Sequence, residues 1–126
     1  MRILCVEDDA DSREVMTLLL EMWSYDVVTA IGPTDGLELS KQGGFALIML
    51  DNWYEEGSGL ELCKQIRRFD TKTPIIFYSA AAYEEDVQKA MEAGAQCYLF
   101  KPTGIQEVVQ TIEELTTPAK RRPAFV

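Results

Sequence analysis

The sequence predicts an α/β fold in which five β-strands alternate with five α-helices, forming a doubly wound (βα)5 sandwich with helices on both faces of a parallel sheet. Five short apolar runs are mostly continuous rather than alternating, which is typical of parallel strands buried on both faces. Segments with helical period follow each run. The chain has 126 residues, 47% of them hydrophobic and 26% charged, which is the size and composition of one globular domain.

The first strand is predicted where the apolar N-terminus meets acid at Glu7, too early for a signal peptide. In chain order, the predicted strands are Ile3–Val6, Val27–Ala30, Leu47–Leu50, Ile75–Tyr78 and Cys97–Phe100. The first helix is expected to bury an apolar face made of Val15, Leu19, Met22 and Trp23. Asp11 and Glu14 have the spacing of a capping box, and Asp9 is also able to cap this helix.

The second helix is the weakest prediction, at Pro33–Lys41, because Pro33 suits a first turn while Gly36 costs helix stability. The third helix is expected to bury Leu62, Cys63, Ile66 and Phe69. The fourth is expected to bury Val87, Ala90 and Met91, and to end at Gly94. The fifth has the clearest period, in Ile105, Val108, Val109, Ile112 and Leu115. We expect a domain over residues 1–117 and a flexible tail over 118–126, which holds two prolines and three basic residues.

Charge and residue usage exclude several classes of function. The net charge of −9 gives no electrostatic drive for binding nucleic acid, and no run of about 18 apolar residues predicts a membrane span. We therefore expect a cytoplasmic protein. The three cysteines are far apart and are expected to be buried and free. Because the chain has no histidine, its chemistry must depend on carboxylates, lysine and hydroxyls, with or without a metal.

Polar residues follow four of the five predicted strands. Glu7-Asp8 follows the first strand, Asp51 the third, Ser79 the fourth and Lys101 the fifth. Because ligands of an open parallel sheet bind beyond the carboxyl ends of its strands, these groups should meet in one cleft. Clustered carboxylates repel one another unless a cation lies among them, and Mg²⁺ is the hard cation that prefers such ligands.

These residues, Glu7-Asp8, Asp51, Ser79 and Lys101-Pro102, resemble the signature of the receiver domains of two-component response regulators. The resemblance covers about Met1 to Leu115. It implies a flavodoxin-like five-stranded sheet of order 2-1-3-4-5. It also implies that Asp51 accepts a phosphoryl group from a phosphohistidine. Mg²⁺, with Mn²⁺ as an alternative, would bind Asp8 and Asp51 directly, Glu7 through water, and the backbone carbonyl of Trp53.

The resemblance gives roles to the remaining signature residues. Lys101 would pair with Asp51 and then with the phosphoryl group, while Ser79 would move to hydrogen-bond a phosphoryl oxygen. Tyr98 would swing inward as the switch aromatic, although its position also fits a plain sheet aromatic with a hydroxyl at the rim. The peptide between Lys101 and Pro102 would be cis.

The loop after Asp51 departs from the family pattern, because Trp53-Tyr54 stands where a Met-Pro pair is usual. Without the proline we expect a more mobile loop. The two aromatics either shield or gate the site, or cover apolar surface at the sheet edge. Gly59 matches the family, so the third helix is expected to start normally.

The predicted function is a signalling switch rather than an enzyme, with only self-catalysed phosphoryl transfer and slow autodephosphorylation. The donor would be a histidine kinase or histidine phosphotransfer protein that contacts the first helix, Ser12–Trp23, and the loop after Lys101. The output to a downstream protein effector would run through the fourth helix, fifth strand and fifth helix, Glu84 to Leu115. We expect a monomer or a phosphorylation-dependent dimer, as a stand-alone receiver or as part of a longer protein.

Three alternatives remain open from the sequence. The first is a receiver-like binding module that is never phosphorylated. The second is an aspartyl phosphatase, which would need a second acid where Trp53 stands. The third, an FMN site, is disfavoured because no phosphate-binding loop follows the first strand and Glu7-Asp8 would repel a phosphate.

Overall fold

A computed structural model describes residues 1–117 of the chain, so the predicted tail at 118–126 lies outside the described residues. Seven strands and five helices follow one another in this part of the chain. Their order is β1 Arg2–Val6, α1 Ala10–Met22, β2 Asp26–Ala30, α2 Pro33–Gln42, β3 Leu47–Leu50, β4 Trp53–Tyr54, β5 Gly57–Ser58, α3 Gly59–Arg67, β6 Ile75–Ser79, α4 Glu84–Ala93, β7 Cys97–Phe100 and α5 Ile105–Thr116.

The main sheet has five parallel strands in the order β2-β1-β3-β6-β7. This confirms the predicted fold and order, with β6 and β7 as the fourth and fifth predicted strands. Strands β4 and β5 form a separate antiparallel hairpin, which the sequence did not predict. The reversal of strand order beside β1 places the ends of β1 and β3 next to each other, which is where such sheets bind ligands.

Each face of the sheet is covered by a different set of helices. On one face, α1 and α5 bury Met16, Leu20, Val108, Val109 and Ile112 against β1, β3 and β6. On the other face, α2, α3 and α4 enclose a core that includes Leu62, Cys63, Ile66, Ala90 and Ala93. The strands β1 and β3 are almost completely buried, because helices cover them on both sides.

The predicted buried face of α1 is wrong. Met16 and Leu20 are its buried residues, whereas Val15 and Met22 are 54% and 78% exposed. In the C-terminal half of α1, apolar residues occur on several sides of the helix, so their spacing alone fits more than one buried face. The proposed capping box at Asp11 is also wrong, because the Asp9 carboxylate caps the helix by accepting a hydrogen bond from the N–H of Ser12 at 2.9 Å.

Two residues of the predicted faces of α3 and α4 are exposed. Phe69 lies beyond the end of α3 and is 45% exposed, and Met91 on α4 is 43% exposed. Cys97 is only half-buried, since β7 is an edge strand, whereas the other two cysteines are buried and all three are free. Gly94 ends α4 in the left-handed conformation at φ 116°, as predicted. Within residues 1–117, no helix combines the length and apolar character needed to cross a membrane.

Candidate functional site

Four strands of the main sheet deliver polar side chains to one edge. Glu7 directly follows β1, Asp51 follows β3, Ser79 ends β6 and Lys101 follows β7. The Lys101 ammonium donates hydrogen bonds to Glu7 Oε1 at 2.8 Å and to Asp51 Oδ2 at 2.9 Å. The predicted convergence of Glu7, Asp51 and Lys101 is therefore present.

The environment of Lys101 favours its charged form. Burial alone would lower its pKa, but the hydrogen bonds and opposite charges of Glu7 and Asp51 outweigh burial and raise the pKa well above the usual range for lysine. The ammonium is thus held as a permanent cation between two carboxylates. A fixed cation at this place can compensate negative charge that arrives at Asp51.

Asp8 points toward the hairpin rather than toward Lys101. Its Oδ2 accepts a hydrogen bond from the backbone N–H of Glu55 at 2.9 Å, in the turn between β4 and β5. The neighbouring Glu56 carboxylate accepts a hydrogen bond from the N–H of Thr34, in the first turn of α2, at 2.8 Å. The loop is thus a hairpin joined to two other parts of the fold, while its expected mobility stays a prediction.

Trp53 and Tyr54 lie in opposite environments. Trp53 is 65% exposed, whereas Tyr54 is buried and packs in the core shared with α2, α3 and α4. The Tyr54 hydroxyl donates to the carbonyl of Val6 at 3.0 Å and accepts from the N–H of Asp51 at 2.6 Å. Tyr54 therefore covers apolar surface, as one of the two alternatives held, and its hydroxyl bridges the ends of β1 and β3.

Ser79 and Tyr98 both contact the backbone of Ala81. The Ser79 hydroxyl accepts a hydrogen bond from the N–H of Ala81 at 3.2 Å, and the Tyr98 hydroxyl donates to the Ala81 carbonyl at 2.7 Å. Tyr98 is thus hydrogen-bonded to the loop after β6. The Lys101–Pro102 peptide is cis, as the resemblance implies.

The carboxylates have the donor chemistry of a Mg²⁺ site but are not gathered as one. Within residues 1–117, no group of three His, Cys, Asp or Glu side chains is placed to hold a metal ion. Glu7 and Asp51 are engaged by Lys101, and Asp8 is engaged by the hairpin. Oxygen ligands from Asp8 and Asp51 fit a hard cation in kind, and a carboxylate oxygen that accepts one hydrogen bond keeps a second lone pair for a cation.

A cavity of about 330 Å³ opens beside the site, between α1 and α5. Glu7, Asp51 and Lys101 line its polar end. Most of the other lining side chains are apolar, among them Val15, Met16, Leu19, Ile105 and Val108, and they are joined by the polar residues Asp11, Ser12 and Thr103. The cavity therefore joins the charged cleft to an apolar groove between two helices.

Sequence reasoning missed two buried polar groups next to Asp51. The first is the Tyr54 hydroxyl, and the second is the side chain of Asn52, which is 0% exposed. An asparagine directly after a strand end is usually a solvated turn residue, so its burial had no local signal. The hairpin also had none, because its Glu55-Glu56 turn has neither the glycine nor the asparagine that marks tight hairpins.

Known proteins of similar sequence and structure support the predicted fold class. The family model described as "Response regulator receiver domain" matches residues 3–113. The nisin biosynthesis regulatory protein NisR of Lactococcus lactis subsp. lactis is 38% identical over 112 residues, which cover 89% of this chain and 48% of that protein. The chain spans about half the length of the curated relatives it matches.

Solved structures show the same fold. A CheY-like response regulator receiver domain protein from Methanospirillum hungatei superposes with a TM-score of 0.86 and 26% identity, covering 90% of each chain. The response regulator protein TrrA from Thermotoga maritima, in complex with Mg(2+)-BeF, gives a TM-score of 0.82 at 27% identity, covering 90% of this chain and 97% of that one.

Proposed function

The chain belongs to the response regulator receiver domain family, and from that premise we propose that it is a switch phosphorylated on Asp51. The observation that carries this proposal is the Lys101 ammonium, 2.9 Å from Asp51 Oδ2 and 2.8 Å from Glu7 Oε1. A nucleophilic carboxylate beside a fixed cation is suited to phosphoryl transfer, which depends on positioning and charge compensation.

The proposed step moves one phosphoryl group between two proteins. A carboxylate oxygen of Asp51 attacks the phosphorus of a partner's phosphohistidine, forming a P–O bond while the P–N bond breaks. The product is an acyl phosphate on Asp51, and the departing imidazole takes a proton. Lys101 keeps its charge throughout and pairs with the phosphoryl oxygens, while Ser79 donates its hydroxyl hydrogen to one of them.

Asp8 and Asp51 are the proposed direct ligands of Mg²⁺, with Glu7 acting through water and Trp53 through its backbone carbonyl. When bound, the cation would compensate the negative charge of the transferring phosphoryl group. Mn²⁺ would serve in the same way. The Mg(2+)-BeF complex of the Thermotoga maritima relative supports the choice of Mg²⁺ by analogy.

The proposed donor is a histidine kinase or histidine phosphotransfer protein docking on α1 and the loop after Lys101. The apolar groove between α1 and α5 supports this choice, because it ends at Asp51. The proposed output is a change in the surface of α4, β7 and α5, which a downstream protein effector or a second copy of the chain would bind. We place this domain at residues 1–117 and in the cytoplasm.

The test is intact-mass analysis after incubation with Mg²⁺ and acetyl phosphate. One base-labile phosphoryl adduct should form on the unaltered chain and be absent after EDTA treatment or in Asp51→Asn. Asp9→Asn is the matched control, because Asp9 lies at the same edge and serves α1 as a cap. Asp8→Ala should lose Mg²⁺ affinity and phosphorylation together, whereas Lys101→Ala should lose mainly phosphorylation. Failure with both acetyl phosphate and a phosphohistidine protein would refute the proposal.

A receiver-like module that is never phosphorylated is the second candidate. The hydrogen bond from Glu55 to Asp8 favours it, because this contact engages a proposed metal ligand. Such a module would bind its partner equally well with Asp51→Asn, in the presence or absence of Mg²⁺. A partner affinity that depends on both Asp51 and Mg²⁺ would exclude it.

A further inference from the structure

Asn52 is a polar residue held completely inside the protein, directly after the proposed phosphoacceptor. Its side chain and backbone are 0% exposed. Its backbone N–H donates to Asp51 Oδ1 at 2.6 Å, and its carbonyl accepts from the N–H of Gly59 at 2.8 Å. Both backbone groups of Asn52 are therefore hydrogen-bonded, one to Asp51 before the hairpin and one to Gly59 after it, and these two bonds fix its position.

The side-chain amide of Asn52 contacts the Tyr98 hydroxyl. Asn52 Nδ2 donates to Tyr98 Oη at 3.2 Å, and Tyr98 Oη in turn donates to the Ala81 carbonyl at 2.7 Å. The Tyr98 ring stacks on the buried Phe77 ring, with centroids 5.7 Å apart and an interplanar angle of 3°. The phenol is thus held at its oxygen by one donor and one acceptor, and at its ring by a parallel neighbour.

The other atom of this amide has no partner. Asn52 Oδ1 is, within residues 1–117, the single buried side-chain nitrogen or oxygen without a hydrogen bond. Tyr98 has one hydroxyl hydrogen, which can serve either the Ala81 carbonyl or Asn52 Oδ1 but not both. The observed arrangement makes two hydrogen bonds at Tyr98 Oη, whereas rotation of the amide would leave one, so Nδ2 favours the bond from Tyr98 to Ala81.

We propose that Asn52 is a positioning residue that holds the Tyr98 hydroxyl on Ala81 before any phosphoryl group reaches Asp51. Its bearing on signalling rests on the function proposed above. Asn52 directly follows the proposed phosphoacceptor and contacts Tyr98 on β7, a strand of the proposed output surface. In this chain the resting position of Tyr98 is set by Asn52 together with the Ala81 carbonyl and the Phe77 ring.

The first experiment uses the protein without a phosphodonor. Asn52 is the only asparagine of the chain, so its side-chain amide can be observed alone. Labelling asparagine with nitrogen-15 gives one pair of side-chain amide signals. Tyr98→Phe should move these signals and speed hydrogen exchange at Nδ2 about five-fold, as expected for the loss of one neutral hydrogen bond. Tyr78→Phe is the matched control on the neighbouring strand, since its hydroxyl contacts Thr103 instead. Amide signals that do not respond to Tyr98→Phe would overturn the proposal.

The second experiment follows Tyr98 itself in protein with carbon-13 labelled tyrosine rings, assigned through Tyr98→Phe. Stacking on Phe77 should shift the Tyr98 ring signals away from those of a free tyrosine. Asn52→Leu should reduce the fraction of molecules in which Tyr98 stacks on Phe77, lowering the ratio of stacked to unstacked Tyr98 about five-fold. Ser40→Ala is the control, because it removes another buried hydroxyl that bonds within α2. Equal Tyr98 signals in the unaltered chain and Asn52→Leu would overturn the proposal.

The third measurement separates this proposal from the proposed function. After acetyl phosphate treatment, with the adduct verified by intact mass, Tyr98 should shift less in the unaltered chain than in Asn52→Leu. Equal shifts would overturn a resting-state role for Asn52. If no adduct forms in either protein, the proposed function fails, while the two resting-state experiments still decide the role of Asn52.

Discussion

Tyr54→Phe removes one hydroxyl from the place where β1 and β3 end. That hydroxyl donates to the carbonyl of Val6 at 3.0 Å and accepts from the N–H of Asp51 at 2.6 Å. Val6 is 2% exposed and Tyr54 7% exposed, so water does not readily replace the lost hydroxyl. The ring itself remains, so the substitution tests the bridge and leaves the packing in place.

The expected cost follows from the two groups that lose their partner. A buried donor or acceptor left without a hydrogen bond costs about 1–3 kcal/mol. Two such groups would lower the free energy of unfolding by about 2–4 kcal/mol, allowing for partial relaxation of the chain around them. For a domain of this size, a loss of that order lowers the melting temperature by about 10 °C. Displacement of the Asp51 backbone should also slow phosphorylation.

The assay is urea unfolding followed by far-ultraviolet circular dichroism, with the free energy of unfolding extrapolated to water. Tyr83→Phe is the control, because Tyr83 is 78% exposed and should change stability by less than about 0.5 kcal/mol. A Tyr54→Phe protein as stable as this control would refute the bridge. A loss of stability with unchanged phosphorylation would show that the bridge supports the fold but does not position Asp51.

Three further perturbations have defined outcomes. Gly59→Ala should destabilise the protein by more than about 2 kcal/mol in urea unfolding, because a Cβ there would lie 1.8 Å from the carbonyl oxygen of Asp51; near-normal stability would contradict this. Burial raises the pKa of Asp70, but hydrogen bonds from the hydroxyl and N–H of Thr73 outweigh it, so the pKa lies below the usual value. A carboxyl group whose pKa is lowered by folding stabilises the native state above its unfolded pKa of about 4, and this stabilisation is lost as the pH falls further. Asp70→Asn should therefore lower the free energy of unfolding at pH 7 and have less effect at pH 3. In labelling with iodoacetamide at pH 8, the half-buried Cys97 should react first. Burial raises the pKa of all three thiols, but it raises that of Cys5 to about 12 and that of Cys63 to about 11; earlier reaction of either would contradict their burial.

The sequence predicted the main sheet because its signal is local. Each strand is a continuous apolar run, and the apolar spacing of α3 and α5 shows the faces that these two helices bury. In α1, apolar residues such as Leu18 and Met22 lie on the exposed side, where they are 56% and 78% exposed. Spacing could not identify the buried face there, because a surface kept apolar for reasons other than the core follows the same pattern as the core itself.

The candidate site was predictable in part from the topology of the sheet. The ends of parallel strands must meet, so Glu7, Asp51 and Lys101 could be placed together from the strand ends alone. The direction of Asp8 could not be predicted, because it depends on an N–H in a hairpin with no turn signature. Nor could the contact between Asn52 and Tyr98, which joins side chains 46 residues apart inside the core.

The exposure of Trp53 has a practical consequence for observing this protein. The chain has two tryptophans, and the other, Trp23, caps the C-terminal end of α1. Trp53 is 65% exposed and lies two residues after Asp51. Replacing Trp23 with Phe would leave one indole, whose fluorescence comes only from the rim of the site. The chain thus carries its own optical reporter, and events at Asp51 can be followed in solution without attaching a dye.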